Sequence, residues 1–140
     1  MKELWKLRRR KSHHTCQIYL ALYNQAMTQA ATPKTVLVYQ DATGREPFSD
    51  WLGELRDAKA RRAILMRLSR LEQGLYGDCA PVGDGVSELR IFLGPGYRVY
   101  FGESSGHIVI LLCGGDKASQ TRDIKAAKAC WQEYLTHGKA

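Results

Sequence analysis

The chain has 140 residues, 44% hydrophobic and 25% charged, the size and balance of one soluble globular domain, which leaves no room for a second full-size domain. Lys and Arg number 21 against 14 Asp and Glu, a formal +7 that points to an anionic partner such as nucleic acid or a membrane surface. No apolar run approaches the ~18–20 residues needed to cross a bilayer, and Cys16, Cys79, Cys113 and Cys130 have no CxxC or Cys/His spacing, so they read as reduced thiols rather than as a zinc site or disulfide framework.

The charge is unevenly placed. Residues 1–26 hold six basic residues (Lys2, Lys6, Arg8, Arg9, Arg10, Lys11) and one acid (Glu3), a net +5, so residues 27–140 carry fifteen basic against thirteen acidic. A helix-prone Leu4-Trp5-Lys6-Leu7 start opens this arm. Ser12, His13, His14 and Gln17 interrupt any signal-peptide core, which places the protein in the cytoplasm. Met27 offers an alternative start, and residues 28–35 are small and polar and contain Pro33, as a linker does. The expected organisation is a basic N-terminal extension over 1–33 and a folded domain over 34–140.

Thr35–Tyr39 is short and β-branched, between Pro33 and the Asp41–Gly44 turn, and reads as a first strand. After Pro47, Phe48, Trp51, Leu52 and Leu55 recur at helical spacing. A longer helix is expected from an Asp57 N-cap to Gln73, with Gly74 as its stop; its apolar face is Ala60, Ile64, Leu68 and Leu71, its other face Lys59, Arg61, Arg62, Arg67 and Arg70. The next segments, Ser87–Leu93, Tyr97–Gly102 and His107–Cys113, read as an antiparallel meander. Ile108–Leu112 is apolar throughout, as a central strand covered on both sides should be. Ser119–Leu135 reads as a closing helix with Ile124, Ala127, Trp131 and Leu135 on one side.

Register carries the functional argument. With Gly94-Pro95-Gly96 as a three-residue loop, Phe92 faces Arg98 and Arg90 faces Tyr100, so these four share one face while Leu89, Ile91, Val99 and Phe101 share the other. Lys117 emerges just past the third strand, within reach of the same surface. Three cations beside aromatic rings could hold a phosphodiester and stack a base, as a single-stranded RNA site must. The alternative is that both arginines are solvent-face strand residues paired with Glu88 and Glu103. No GxSxG, HExxH, Walker loop or dinucleotide fingerprint is present, and His107 begins a strand with no carboxylate placed in sequence to orient it. Neither metal nor cofactor is expected.

Residues 87–134, with Glu88-Leu89-Arg90, the GYRVYF strand (Gly96–Phe101) and GGDK followed by SQxRDIxxA (Gly114–Ala127), resemble the C-terminal half of the RelE/ParE toxin superfamily, closest to its HigB-like, phage-type addiction-module killer proteins. Upstream, PFSDWL and ARRAILMRLSRLEQG fit the same family, so the resemblance covers about 35–136. It implies a compact α/β (α+β) domain: a small, mainly antiparallel sheet with two N-terminal helices and a C-terminal helix, its helices against one face. It further implies the toxin of a type II toxin–antitoxin pair, a metal-independent mRNA endonuclease acting at the ribosome and neutralised by a helix-turn-helix antitoxin. Carried over residue by residue, Arg90, Arg98 and Lys117 are the catalytic candidates; Phe92 and Tyr100, from the shared strand face, together with His107 and Arg122 are the RNA-binding ones. Where ribosome-dependent members place a C-terminal aromatic, this chain has Asp123, so proton transfer falls to His107 or Lys117, or the cations act by electrostatics alone. A ParE-like DNA gyrase inhibitor and a non-catalytic antitoxin-binding module are the alternatives.

Overall fold

The structure, a computed structural model, describes residues 18, 20–22 and 32–138. The chain divides into two units, Met1–Thr32 and Pro33–Ala140. In the first, Ile18 and Leu20–Leu22 are helical and exposed; the basic run, the Leu4–Leu7 start, Cys16 and Met27 lie outside the described residues.

The second unit is an α+β domain with the element order β1 (Thr35–Val38), α1 (Pro47–Glu54), α2 (Ala58–Glu72), β2 (Cys79–Gly83), β3 (Val86–Ile91), β4 (Tyr97–Ser104), β5 (Ile108–Asp116) and α3 (Gln120–His137). Its strands form one five-stranded mixed sheet in the order β1-β5-β4-β3-β2, with β1 parallel to β5 and every other pairing antiparallel. The local signals behave as their chemistry dictates. Pro47 opens α1, where its missing N–H costs nothing, and the Asp57 carboxylate caps α2 by accepting from the amides of Lys59 and Ala60. The buried residues of α2 are Ala60, Ile64, Leu68 and Leu71, the stripe its periodicity marks out.

Both faces of the sheet are covered. α1 and α2 pack on Leu89, Ile91, Tyr97, Val99, Phe101, Val109 and Leu111, while α3 packs its Ala127 and Trp131 on Val86, Tyr100, Ile110, Leu112 and Cys113. This corrects the expectation of helices against one face: β5 alternates between two cores, which is why it has no polar side. Buried tyrosines belong to both layers. Burial, joined by nearby carboxylates, raises the Tyr39, Tyr76 and Tyr100 phenols well above their ordinary value. Because the folded state favours the neutral phenol, this stabilisation is complete below the unfolded value near pH 10 and is lost as pH climbs above it. A near-ultraviolet titration should therefore show Tyr39 and Tyr100, both fully buried, ionising only together with the loss of tertiary circular dichroism. Ionisation of every tyrosine near pH 10 in a still-folded protein would refute this.

β2 is an element that sequence patterning does not mark. Pro81 interrupts any alternation, and the strand is tolerated because it lies at the sheet edge. Its hairpin to β3 turns on Asp84-Gly85, both at positive φ (55° and 81°), the dipeptide that favours a two-residue primed turn.

Candidate functional site

The β3–β4 pairing sets Arg90 directly opposite Arg98 and Ile91 opposite Tyr97. The connection is thus longer than three residues. It comprises Phe92–Gly96, closed by a Gly96 amide donating to the Leu93 carbonyl, with Gly94 and Gly96 at positive φ. Register is displaced by two positions from the expected one, so Arg90 meets Arg98 rather than Tyr100, but an even displacement leaves side-chain faces unchanged. Arg90 and Arg98 do share a face, the one that carries α3, at the end of the sheet just beyond that helix's N-terminus.

Arg90, Phe92, Arg98 and Lys117 line one open concavity of about 340 Å3 whose rim is Leu93–Gly96. The three cations differ in how they are held. Arg90 is half-buried, its Nη2 and Nε donating to Asp78 Oδ1 at 2.8 and 3.2 Å. The Arg98 side chain is only 12% exposed; its Nε lies 3.4 Å from Glu88 Oε2, in ion-pair range but outside hydrogen-bond geometry, and its Nη1 donates to the Gly96 carbonyl at 3.3 Å. Glu88 is 4% exposed and also accepts from Gln120 Nε2 at 3.1 Å, across from the first turn of α3. Lys117 is exposed and makes no ion pair among the described residues. Phe92, 83% exposed, has its ring face free for contact.

Three expected RNA-binding positions fall elsewhere. Tyr100 is fully buried with its hydroxyl unpartnered, on the same face as Arg98 but under α3, packed with Ala127 and Trp131, so it offers no ring for stacking. His107 sits in the turn between β4 and β5, beside Ile108, whose partner Ser104 is six positions along β4 from Arg98, about 20 Å at ~3.3 Å per residue. It cannot transfer a proton at the concavity. Arg122 is exposed on α3, near Asp123 at 3.8 Å, and lines a separate surface with Asp116 and Lys125. Of the pairings expected for the arginines, Glu88–Arg98 forms, whereas Glu103 instead accepts from the Tyr76 hydroxyl.

Asp78, the carboxylate that holds Arg90, escapes sequence reasoning because the two come from separate segments. Asp78 precedes β2, and Arg67 of α2 clamps that approach by donating to the carbonyls of Arg90, Tyr76 and Asp78 at 2.7, 3.1 and 3.2 Å. Asp123 lies against Gly115, where any β-carbon would meet its Oδ2 at 1.8 Å, and accepts from the Ser119 hydroxyl. Glycine in the GGDK segment thus serves helix docking. The thiols of Cys79, Cys113 and Cys130, the cysteines among the described residues, are not poised as nucleophiles: burial raises Cys79 and Cys130 and pushes Cys113 up to about 12, leaving these three protonated at neutral pH. No group of three or more potential metal ligands occurs among the described residues, nor any helix long and apolar enough to cross a membrane.

These features define a small α+β domain with a mixed sheet and a cationic concavity at one sheet end. The chain is 50% identical over 86 residues to an uncharacterized protein of Haemophilus influenzae (strain Rd), a match that spans 61% of this chain and 87% of that protein, and it belongs to the same family. No family model matches the chain.

Proposed function

We propose that the protein is a RelE/ParE-type toxin of the HigB-like branch, acting in the cytoplasm as an endonuclease on mRNA at the ribosome and held in check by a helix-turn-helix antitoxin. The observation that carries this reading is the concavity: two arginines opposed across β3 and β4, a free lysine beside them, and an exposed phenylalanine on the rim. Guanidinium forks and an ammonium match the non-bridging oxygens of a phosphodiester, and the Phe92 ring can stack an unpaired base next to it. Charge rises on those oxygens as the ribose 2′-hydroxyl attacks phosphorus. Arg90 and Arg98, fixed in advance by Asp78 and Glu88, need no reorganisation to meet it. The 2′ proton passes to water, the bond from phosphorus to O5′ breaks, and Lys117 protonates the leaving oxygen; the products are a 2′,3′-cyclic phosphate and a 5′-hydroxyl end. With His107 at the other end of the strands, Lys117 is the remaining proton donor of the two considered.

Induction of the full chain in a bacterial host should stop bulk translation and leave ribosome-bound mRNA with cyclic-phosphate ends. Lys117→Ala, at an exposed site where stability should move by less than ~0.5 kcal/mol, should lower cutting on the order of 100-fold. Intact mRNA with normal translation sinks the reading; blocked supercoiling with RNA untouched points to gyrase instead, and harmless binding of an antitoxin to a module without catalysis.

A further inference from the structure

We propose that the groove between α1 and α2, with the adjoining outer face of α2, binds an acidic amphipathic helix of a partner protein. This surface covers the sheet face opposite the cationic concavity, and the inference stands whether or not RNA is the ligand there. α2 carries Lys59, Arg61, Arg62, Arg67 and Arg70 against a single acid, Glu72. Two of the five cations have structural work: Arg67 clamps the approach to β2, and Arg61 Nη1 donates to the Leu55 carbonyl just past α1. The remaining Lys59, Arg62 and Arg70 are exposed, have no side-chain partner among the described residues, and recur at i, i+3 and i+11, one stripe along the helix.

That stripe is interrupted by apolar surface. Met66, on the stripe at i+7, is 60% exposed, and Leu65 beside it is 52% exposed, on a helix whose four core positions are already filled. Leu65 forms one wall of an open groove with Leu52, Gly53 and Ala58, and a β-carbon at Gly53 would meet nothing within 4 Å. An apolar slot bordered on its α2 side by unpaired cations is complementary to a helix that inserts Leu- or Phe-like side chains at i, i+3 and i+4 and turns its carboxylates toward α2, since α1 carries no cation. Phosphate backbones have no counterpart for Leu65 and Met66. An anionic bilayer needs a broad outward apolar face, which two side chains beside a slot do not supply.

The test titrates the full chain with a labelled synthetic helical peptide bearing Leu on one face and Glu on its flanks, and with the same peptide carrying Lys in place of Glu. The acidic peptide should bind with a micromolar Kd that weakens at least tenfold for Leu65→Asp and for Arg62→Glu, both confirmed as folded by unchanged melting. It should be unaffected by Lys117→Ala, and neither poly(U) RNA nor phosphatidylglycerol vesicles should displace it. Absence of binding, equal binding of the Lys peptide, indifference to both groove substitutions, or displacement by RNA or vesicles would each overturn the proposal.

Discussion

Replacing Arg98 with Ala is expected to destabilise the domain by about 3–5 kcal/mol, the range for removing one partner of a buried ion pair. An exposed strand arginine would cost almost nothing, which is what its position on a hairpin suggests. The structure places it differently: the side chain is 12% exposed and its guanidinium is the charge that balances Glu88, itself 4% exposed. Without Arg98 that carboxylate keeps only the Gln120 amide at 3.1 Å. Adding Glu88→Gln should recover most of the loss, because a neutral amide no longer needs a counter-charge, and the difference between single and double variants measures the coupling. Urea denaturation gives both numbers. An Arg98→Ala midpoint within error of the parent would show that the pair is solvated. On the proposed endonuclease reading, loss of cutting in Arg98→Ala alone has two causes, a missing phosphate ligand or a loosened fold. Arg98→Ala/Glu88→Gln separates the two: restored stability with absent cutting assigns the guanidinium to the site.

What could be read from the sequence divides along chemical lines. Helix α2 was fully legible, since an Asp cap, a four-residue apolar stripe and a glycine stop are all local signals. The sharing of a face by Arg90 and Arg98 was legible through parity, which survives any even error in register, although the loop length itself was two positions off at each arginine's partner. β2 was not, because an edge strand containing Pro81 lacks alternation; the Asp84-Gly85 dipeptide is the local signal that could have found its hairpin. The parallel pairing of β1 with β5 depends on a crossover through two helices and the intervening strands, and no local pattern encodes it. The state of each cation was equally hidden. Asp78 and Glu88 anchor Arg90 and Arg98 by contacts across strands, whereas Tyr100 shares their parity but enters the core because α3 closes over it. Parity therefore identifies which residues point the same way, and only packing separates those that meet solvent from those that meet a helix.

The second large effect concerns how α3 is seated. Trp131 is 4% exposed and its ring lies against two glycines: a β-carbon at Gly102 would meet three ring carbons at 2.5–2.6 Å, and one at Gly85 would meet Nε1 at 2.7 Å. Tyr134 stacks on it with centroids 5.4 Å apart at 16°. A rigid indole held on these sides cannot swing away, so Gly102→Ala should cost about 1–3 kcal/mol by overpacking, although alanine is the better strand residue by roughly 0.5–1 kcal/mol. Trp131→Ala should cost about 3–5 kcal/mol through lost burial and the cavity left behind. The sharper expectation is that the two are not additive. In the Trp131→Ala background the new methyl at position 102 enters vacated space, so Gly102→Ala should become neutral or stabilising there, a coupling of about 2 kcal/mol readable from thermal or urea unfolding of the four proteins. Strict additivity would mean the ring does not rest on Gly102. Because α3 also brings Gln120 to Glu88 and Asp123 to Gly115, unseating Trp131 should loosen the Arg98–Glu88 pair from the opposite end of the helix. If the concavity binds phosphate as proposed, its affinity should then fall in Trp131→Ala even at temperatures where the domain stays folded, and an unchanged affinity would show that the site is held by the strands alone.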